Sequence, residues 1–314
     1  MRLLITRPLP DAVIAAARAA FEVTCRQSTR PLSMDEMCTA LRDYDAVLPT
    51  LGDLFQAEVF AAVPAPRARI LANFGVGFNH IDVGAARAAG LLVSNTPGAV
   101  TDATADIALT LILMTARRAG EGERLVRSGG WEGWHPTQML GMHVTGRRVG
   151  IIGMGRIGKA IARRCHFGFG MEVVYFNRSA AEPGLAARAV PLSEALAADI
   201  VVVALPGGPA TRHTINAERL AQMRPEAIFI NISRGDVVDE SALVAALAQG
   251  HIAGAGLDVY EHEPTIHPGL LALENVTLLP HLGTAALEVR QAMGLMAVDN
   301  LLAFAAGTPL PNPV

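Results

Sequence analysis

One stretch, Arg148 to Ser179, restricts the fold of this chain more than any other. Val149-Gly150-Ile151-Ile152 is a short apolar run of the kind buried inside a parallel sheet. It leads into Gly153-Met154-Gly155-Arg156-Ile157-Gly158, then into the helix-like Lys159-Ala160-Ile161-Ala162, and a second apolar run, Glu172-Val173-Val174-Tyr175-Phe176, follows. Between a strand and a helix, glycines in G-x-G-x-x-G spacing have separate tasks: a tight turn, close backbone approach to a pyrophosphate, and close contact of helix with strand. Free N–H groups at the helix start then face the anion. The stretch predicts a dinucleotide-binding unit with Gly153, Gly155, Arg156, Ile157 and Gly158 at the phosphates. The glycines alone would also suit a flavin dinucleotide or a methyl donor.

The second apolar run ends at Asn177-Arg178-Ser179. About 20 residues beyond the turn, an NAD site carries an acidic residue for the ribose hydroxyls, and no carboxylate stands here. An acid would repel a 2′-phosphate, whereas Arg178 can bind one through its guanidinium, with donors on Asn177 and Ser179 beside it. The expected cofactor is NADP(H).

The same alternation of strand and helix runs through the rest of the chain. Ahead of residue 98, apolar runs at Leu3–Thr6, Phe21–Cys25, Ala46–Leu48, Ile70–Ala72 and Leu91–Val93 alternate with alanine-rich helical segments at Asp11–Ala20, Met34–Leu41, Ala57–Val63 and Val83–Ala89. After Val149 come strands at Val173–Phe176, Ile200–Ala204, Ala227–Ile232, Ala253–Leu257 and Thr277–Leu279. Strands alternating with helices predict parallel sheets covered on both faces. A chain of 314 residues that is 51% hydrophobic has the length and apolar content for two such domains. A single long helix, Thr101 to Arg127 with Thr101 as its cap, is expected between them. The last helix, about Ala285 to Ala306, has no strand after it and is expected to return to the first unit. The expected domains are therefore 1–98 with 286–314, and 99–285. Lys+Arg 26 against Asp+Glu 29 gives a net charge of -3 without a block of like charge, which points away from nucleic acid and from a membrane surface. The apolar helix Ile107–Ala116 is too short for a membrane span, and Met1–Thr6 reads as a strand rather than a signal peptide, so a cytoplasmic protein is expected. Cys25, Cys38 and Cys165 are scattered and read as small core side chains.

In a doubly wound sheet, chemistry belongs to the loops at the carboxyl ends of the strands. Ile228–Ile232 ends in Ser233-Arg234-Gly235, Ala255–Tyr260 in Glu261-His262-Glu263-Pro264, and Thr277–Leu279 in Pro280-His281. An arginine, a carboxylate and a histidine are thus delivered to one edge. They suit reduction of a 2-oxo acid: Arg234 to hold a carboxylate and polarise the carbonyl, His281 as the acid, and Glu263 to orient the ring and favour its protonated form. A metal reading would recruit His262, Glu263, His267 and His281, but no helical ligand spacing supports it, and no metal is expected. Trp131 and Trp134 lie on a glycine-rich loop, Ser128–Pro136, and exposed tryptophans of this kind usually meet a partner surface.

The chain resembles the D-2-hydroxyacid dehydrogenases over nearly its whole length. The resemblance is carried by Asn73-Phe74-Gly75-Val76-Gly77-Phe78-Asn79-His80-Ile81-Asp82, the glycine turn at Gly153, Asn231-Ile232-Ser233-Arg234-Gly235, Gly256-Leu257-Asp258-Val259-Tyr260 with Glu263-Pro264, and Pro280-His281. It implies two doubly wound parallel-sheet α/β domains, a Rossmann cofactor domain and a flavodoxin-like substrate domain, with Arg234, Glu263 and His281 as the catalytic set. It further implies that N–H groups around Gly75, Val76 and Gly77 bind the substrate carboxylate, and that Thr104, Leu205, Pro206, Thr211, Ile232 and Asp258 line the cofactor, Asp258 near the nicotinamide carboxamide. Trp134-His135-Pro136 with Leu140-Gly141 is similar to the glyoxylate and hydroxypyruvate reductases, where a tryptophan of a neighbouring subunit narrows the pocket. That implies a homodimer and small substrates, although Trp134 equally suits dimer contact without a pocket role. Other expectations stay open: a 2-ketogluconate or other 2-oxo acid reductase, and, from another class, a dinucleotide-sensing binding protein.

Overall fold

The computed structural model describes residues 1–314, which divide into two compact units, Met1–Val100 with Ala285–Val314, and Thr101–Thr284. In the first unit the strands are β1 (Arg2–Ile5), β2 (Glu22–Cys25), β3 (Ala46–Leu48), β4 (Ile70–Ala72) and β5 (Leu92–Ser94). Helices α1 (Asp11–Arg18), α2 (Met34–Asp43), α3 (Ala57–Ala62) and α4 (Val83–Ala88) connect them. The sheet order is β2-β1-β3-β4-β5 and every pairing is parallel. Burial on both faces explains why β3 and β4 are wholly apolar. Local signals fix the helix starts: Ser33 and Glu36 form a reciprocal capping box on α2, and Asp82 caps α4.

The second unit opens with the segment expected to be one helix from Thr101 to Arg127. It is two helices, α5 (Thr101–Ala116) and α6 (Ala119–Arg127). Arg118 between them is left-handed, with φ 52°, and its guanidinium pairs with Glu121. The Ala116 carbonyl accepts from the Met142 N–H at 2.7 Å, so the i to i+4 ladder is not continued there. Thr101 is the first residue of α5 rather than a cap ahead of it. The strands that follow are β6 (Arg148–Ile152), β7 (Glu172–Phe176), β8 (Ala187–Ala189), β9 (Ile200–Val203), β10 (Ile228–Asn231), β11 (Gly254–Leu257) and β12 (Val276–Leu278). Between and around them lie α7 (Arg156–Arg163), which runs into a π turn at Arg164–Gly168, then α8 (Leu192–Leu196), α9 (Ala217–Leu220), α10 (Glu240–Ala248) and α11 (Pro268–Leu271). The order is β12-β11-β10-β9-β6-β7-β8, again parallel throughout. The direction of winding reverses between β6 and β9, and in such sheets ligands sit beyond the carboxyl ends of the strands at the reversal. Both sheets agree with the doubly wound α/β class read from the sequence.

The last helix, α12 (Leu287–Ala305), lies in the first unit. Its Ala297, Val298 and Leu301 share a buried cluster with Leu3, Ile5, Val13 and Ala17. Leu301 is 0% exposed, so Leu301→Ala should cost the first unit about 2–5 kcal/mol, the usual range for a large-to-small core change. Urea unfolding followed by circular dichroism would measure it, and a loss under about 1 kcal/mol would mean that α12 contributes little to that core.

Candidate active site

The glycine turn after β6 divides its tasks as the spacing requires. Gly153 has φ 105°, and a Cβ there would lie 2.6 Å from the Ala204 carbonyl oxygen at the end of β9. A Cβ on Gly158 would lie 2.1 Å from the Gly153 carbonyl oxygen, so α7 can lie against the turn only with glycine at that position. Around Gly155, by contrast, a Cβ would meet nothing within 4 Å, which leaves a free face of backbone at the start of α7. Turn, close contact and open approach are those a bound pyrophosphate needs, and the residues present fit a dinucleotide.

At the end of β7, Asn177 braces the turn from the side. Its Oδ1 accepts the Met154 N–H at 3.1 Å, and its Nδ2 donates to the Ser179 carbonyl at 2.8 Å. The donor expected from Asn177 is therefore used within the chain. Arg178 is exposed and takes part in no ion pair. Leu205 and Thr211 are half-buried, Pro206 is exposed and Ile232 is buried, all on loops beyond β9 and β10. Thr211 closes its own loop by donating to the Pro206 carbonyl at 2.7 Å.

Arg234 and Glu263 come from turns that nearly touch. A Cβ on Gly235 would lie 1.8 Å from the Tyr260 carbonyl carbon, so glycine beside Arg234 is what lets the turn after β10 meet the turn after β11. Asn231 holds the first of these: its Oδ1 accepts the Ser233 N–H and hydroxyl, and its Nδ2 donates to the Arg234 carbonyl. The second is held by the Tyr260 N–H donating to Glu263 Oε1 at 3.0 Å and by Glu240, a buried residue whose Oε1 accepts the Glu261 N–H at 2.7 Å. Burial lowers the proton affinity of the Arg234 guanidinium, against the opposing charges of Glu263 and Asp236.

His281 follows β12 and stands 2.8 Å, Nδ1 to Oε2, from Glu263. An ionised carboxylate only accepts, so Nδ1 carries a hydrogen and Nε2 is the atom left to exchange a proton. The backbone of His281 is left-handed, with φ 53°, a conformation that costs a non-glycine residue about 1–3 kcal/mol and persists only where the surroundings enforce it. Here Asp258 enforces it. Its carbonyl accepts the His281 N–H at 3.0 Å, and its carboxylate accepts the N–H groups of Leu282 at 2.6 Å and Gly283 at 2.8 Å. Thr104 adds a bond to the Gly283 carbonyl at 3.2 Å. Burial pushes the Asp258 carboxyl up, against those N–H groups and the His281 ring. Asp258 and Thr104, expected as cofactor-lining residues, thus also hold the histidine turn.

Three expected residues lie in the first unit, where Gly75, Val76 and Gly77 follow β4. Trp134 lies in the second unit, 79% exposed, and no hydrogen bond joins it to Arg234, Glu263 or His281. Sequence reasoning did not find Asn231, Glu240 or the bracing role of Asp258. The asparagine was visible only as part of the run that ends in Arg234.

Comparison with known proteins identifies the family. The family model for the D-isomer specific 2-hydroxyacid dehydrogenase NAD binding domain matches residues 109–283. The chain belongs to the D-isomer specific 2-hydroxyacid dehydrogenase family. It is 45% identical to a glyoxylate reductase of Thermococcus onnurineus over 100% of this chain and 95% of that protein. A solved structure from Thermus thermophilus superimposes with a TM-score of 0.92 at 40% identity, covering 100% of both chains. An NADPH-dependent glyoxylate/hydroxypyruvate reductase of Sinorhizobium meliloti, solved with NADP and malonate, has a TM-score of 0.88 at 36% identity, covering 100% of this chain and 96% of that one.

The Glu263 carboxyl gives this family member a pH signature. Burial alone would raise it, but the hydrogen bond and charge of His281, the Tyr260 N–H and the Arg234 charge outweigh burial and hold it below its ordinary value of 4.5. A depressed carboxyl stabilises the fold fully above that ordinary value and loses its contribution as pH falls through the lower folded value. Glu263→Gln should therefore lower Tm most near neutral pH, with the gap to wild type closing as the medium is made more acid than 4.5. Calorimetry across that range tests it, and a gap independent of pH would sink the assignment.

Proposed function

We propose that this chain is an NADPH-dependent reductase of small 2-oxo acids, converting glyoxylate to glycolate and hydroxypyruvate to D-glycerate. The observation that carries the reading is the His281–Glu263 pair at 2.8 Å, on the same sheet edge as Arg234 and beyond the same sheet as the glycine turn. When bound, a nicotinamide cofactor would supply the hydride that the C2 carbon of the oxo acid requires. Arg234 holds the substrate carboxylate through its planar fork and draws electron density toward the carbonyl oxygen. His281 gives the proton on Nε2 to that oxygen, completing the hydroxyl, and Glu263 keeps the ring oriented through its bond to Nδ1. In the first unit, the N–H groups around Gly75, Val76 and Gly77 would bind a substrate carboxylate.

The preference for NADPH rests on the missing acid after β7 and on an exposed Arg178 without an ion-pair partner. With Asn177 engaged by Met154 and Ser179, Arg178 and the exposed hydroxyl of Ser179 are the groups left for a 2′-phosphate. The Sinorhizobium meliloti relative, solved with NADP, supports this cofactor. Gly153, Gly155, Arg156, Ile157 and Gly158 would hold the pyrophosphate, and Thr104, Leu205, Pro206, Thr211, Ile232 and Asp258 would line the rest. The exposed Trp134 and Leu140, 79% and 69% accessible, support a homodimer in which Trp134 reaches the neighbouring subunit. Sedimentation as a monomer would remove that part of the reading. The free cysteines suit the reducing cytoplasm, and no helix is long and apolar enough to cross a membrane.

The test is initial-rate oxidation of NADPH, with NADH in parallel, against glyoxylate, hydroxypyruvate, pyruvate and 2-ketogluconate near neutral pH. Fast turnover with NADPH and the two named acids is expected. Turnover with 2-ketogluconate alone would keep the chemistry and overturn the substrate, and tight NADPH binding without turnover would point instead to a dinucleotide sensor. His281→Ala should lower kcat by about 10²–10⁴-fold, the usual worth of a general acid, with NADPH affinity unchanged; an unaltered kcat would refute its role. Arg178→Asp should weaken NADPH and spare NADH, and equal losses for both would detach Arg178 from the phosphate.

A further inference from the structure

In the first unit, the loop from Gly75 to Phe78 is turned so that its carbonyls meet donors of the protein while three of its N–H groups do not. Every carbonyl in it is occupied from within the protein. The Gly75 oxygen accepts from the Thr96 N–H at 3.0 Å and from Asn73 Nδ2 at 3.1 Å. The Val76 oxygen accepts from Asn95 Nδ2 at 2.8 Å, the Gly77 oxygen from Asn73 Nδ2 at 2.9 Å, and the Phe78 oxygen from the Ile81 N–H at 2.8 Å. The N–H groups of Val76, Gly77 and Phe78 donate to no acceptor in the protein. A run of unmatched N–H groups whose carbonyls are drawn away is locally positive and suits an anion.

Two asparagines at the ends of neighbouring strands produce this arrangement. Asn73 follows β4 and is 0% exposed. Its amide nitrogen forks to two carbonyls, which fixes the orientation of the amide, because the flipped form would set its oxygen against both. Its Oδ1 lies 2.9 Å from His80 Nε2. Asn95 follows β5, and its own N–H is held by the Asn312 carbonyl at 3.2 Å. Asn312 is tied in turn to Asn300 of α12, which is 0% exposed.

We propose that Asn73 and Asn95 are positioning residues for the substrate: by withdrawing the carbonyls of Gly75, Val76 and Gly77 they aim the Val76, Gly77 and Phe78 N–H groups at the carboxylate of the oxo acid. This rests on the reading of the loop as a carboxylate holder given above. Neither asparagine touches the substrate. Each acts through backbone, and the fork of Asn73 governs two carbonyls while Asn95 governs one.

Asn95 is the better probe, being only half-buried. Asn95→Ala removes the donor to Val76, and Asn95→Asp keeps the shape while setting a carboxylate oxygen where the donor was. KM for glyoxylate should rise about tenfold in the alanine variant, the equivalent of one hydrogen bond to a charged group, and further in the aspartate variant. kcat should fall less than KM rises, and NADPH affinity, which reports an intact fold, should stay within about twofold. The same variants are titrated with oxalate while the backbone amide signals of Val76, Gly77 and Phe78 are followed by ¹⁵N NMR. Wild-type shifts at these amides that need about tenfold more oxalate in Asn95→Ala support the proposal. Wild-type shifts and an unchanged response in both variants overturn the positioning role and leave the enzymatic reading standing. Glyoxylate turnover without oxalate shifts at these amides overturns the loop as carboxylate holder, and the proposal with it. Absence of both turnover and shifts overturns the enzymatic reading as well.

Discussion

Every strand of the larger sheet runs the same way, and the position of each reactive group follows from that. A parallel sheet gathers the carboxyl ends of its strands on one edge, so loops far apart in sequence share a rim. The glycine turn follows β6, Arg234 follows β10, Glu263 follows β11 and His281 follows β12. Reversal of winding between β6 and β9 opens that rim at the glycine turn, and the Ala204 carbonyl at the end of β9 approaches Gly153 so closely that no side chain fits there. Reversal of β6, β10, β11 or β12 would send its group to the opposite edge.

Within the rim, buried carboxylates and amides do the fine placement. Asp258 spends both of its oxygens on N–H groups next to His281, and Glu240 and Asn231 hold the neighbouring turns by the same means. Each takes a backbone group that would otherwise be unsatisfied and fixes a turn that has no secondary structure of its own. The left-handed His281 is tolerated because three bonds to Asp258 hold that turn. The first unit uses amide side chains to the same end around Gly75–Phe78, where Asn73 and Asn95 decide which way the peptide groups point.

The parts of this architecture that are legible in the sequence are those specified locally. Runs such as Ile200–Val203 and Ile228–Ile230 are apolar because both faces of the strand are covered, so they stand out and carry Arg234 and its neighbours with them. The glycine turn is readable because each glycine answers a steric need within a few residues. What escapes notice depends on distant partners. The break at Arg117-Arg118 reflects the Met142 N–H taking the Ala116 carbonyl, which no helical periodicity announces. Strand β8 lies at the sheet edge with only partial burial, so Ala187-Arg188-Ala189 has no apolar signature. The bracing of His281 by Asp258 spans more than twenty residues and becomes visible only when β11 and β12 lie side by side.

The second unit is one continuous stretch, Thr101–Thr284, whereas the first is assembled from Met1–Val100 and Ala285–Val314. Since α12 supplies Ala297, Val298 and Leu301 to a core that also contains Leu3, Ile5 and Val13, that core is incomplete while a ribosome is still making the preceding residues. The nascent chain thus has all the residues of its dinucleotide unit before it can finish the unit in which it begins. Until α12 emerges, the apolar face of β1 and α1 lacks its natural cover, and shielding it falls to whatever attends the chain during synthesis.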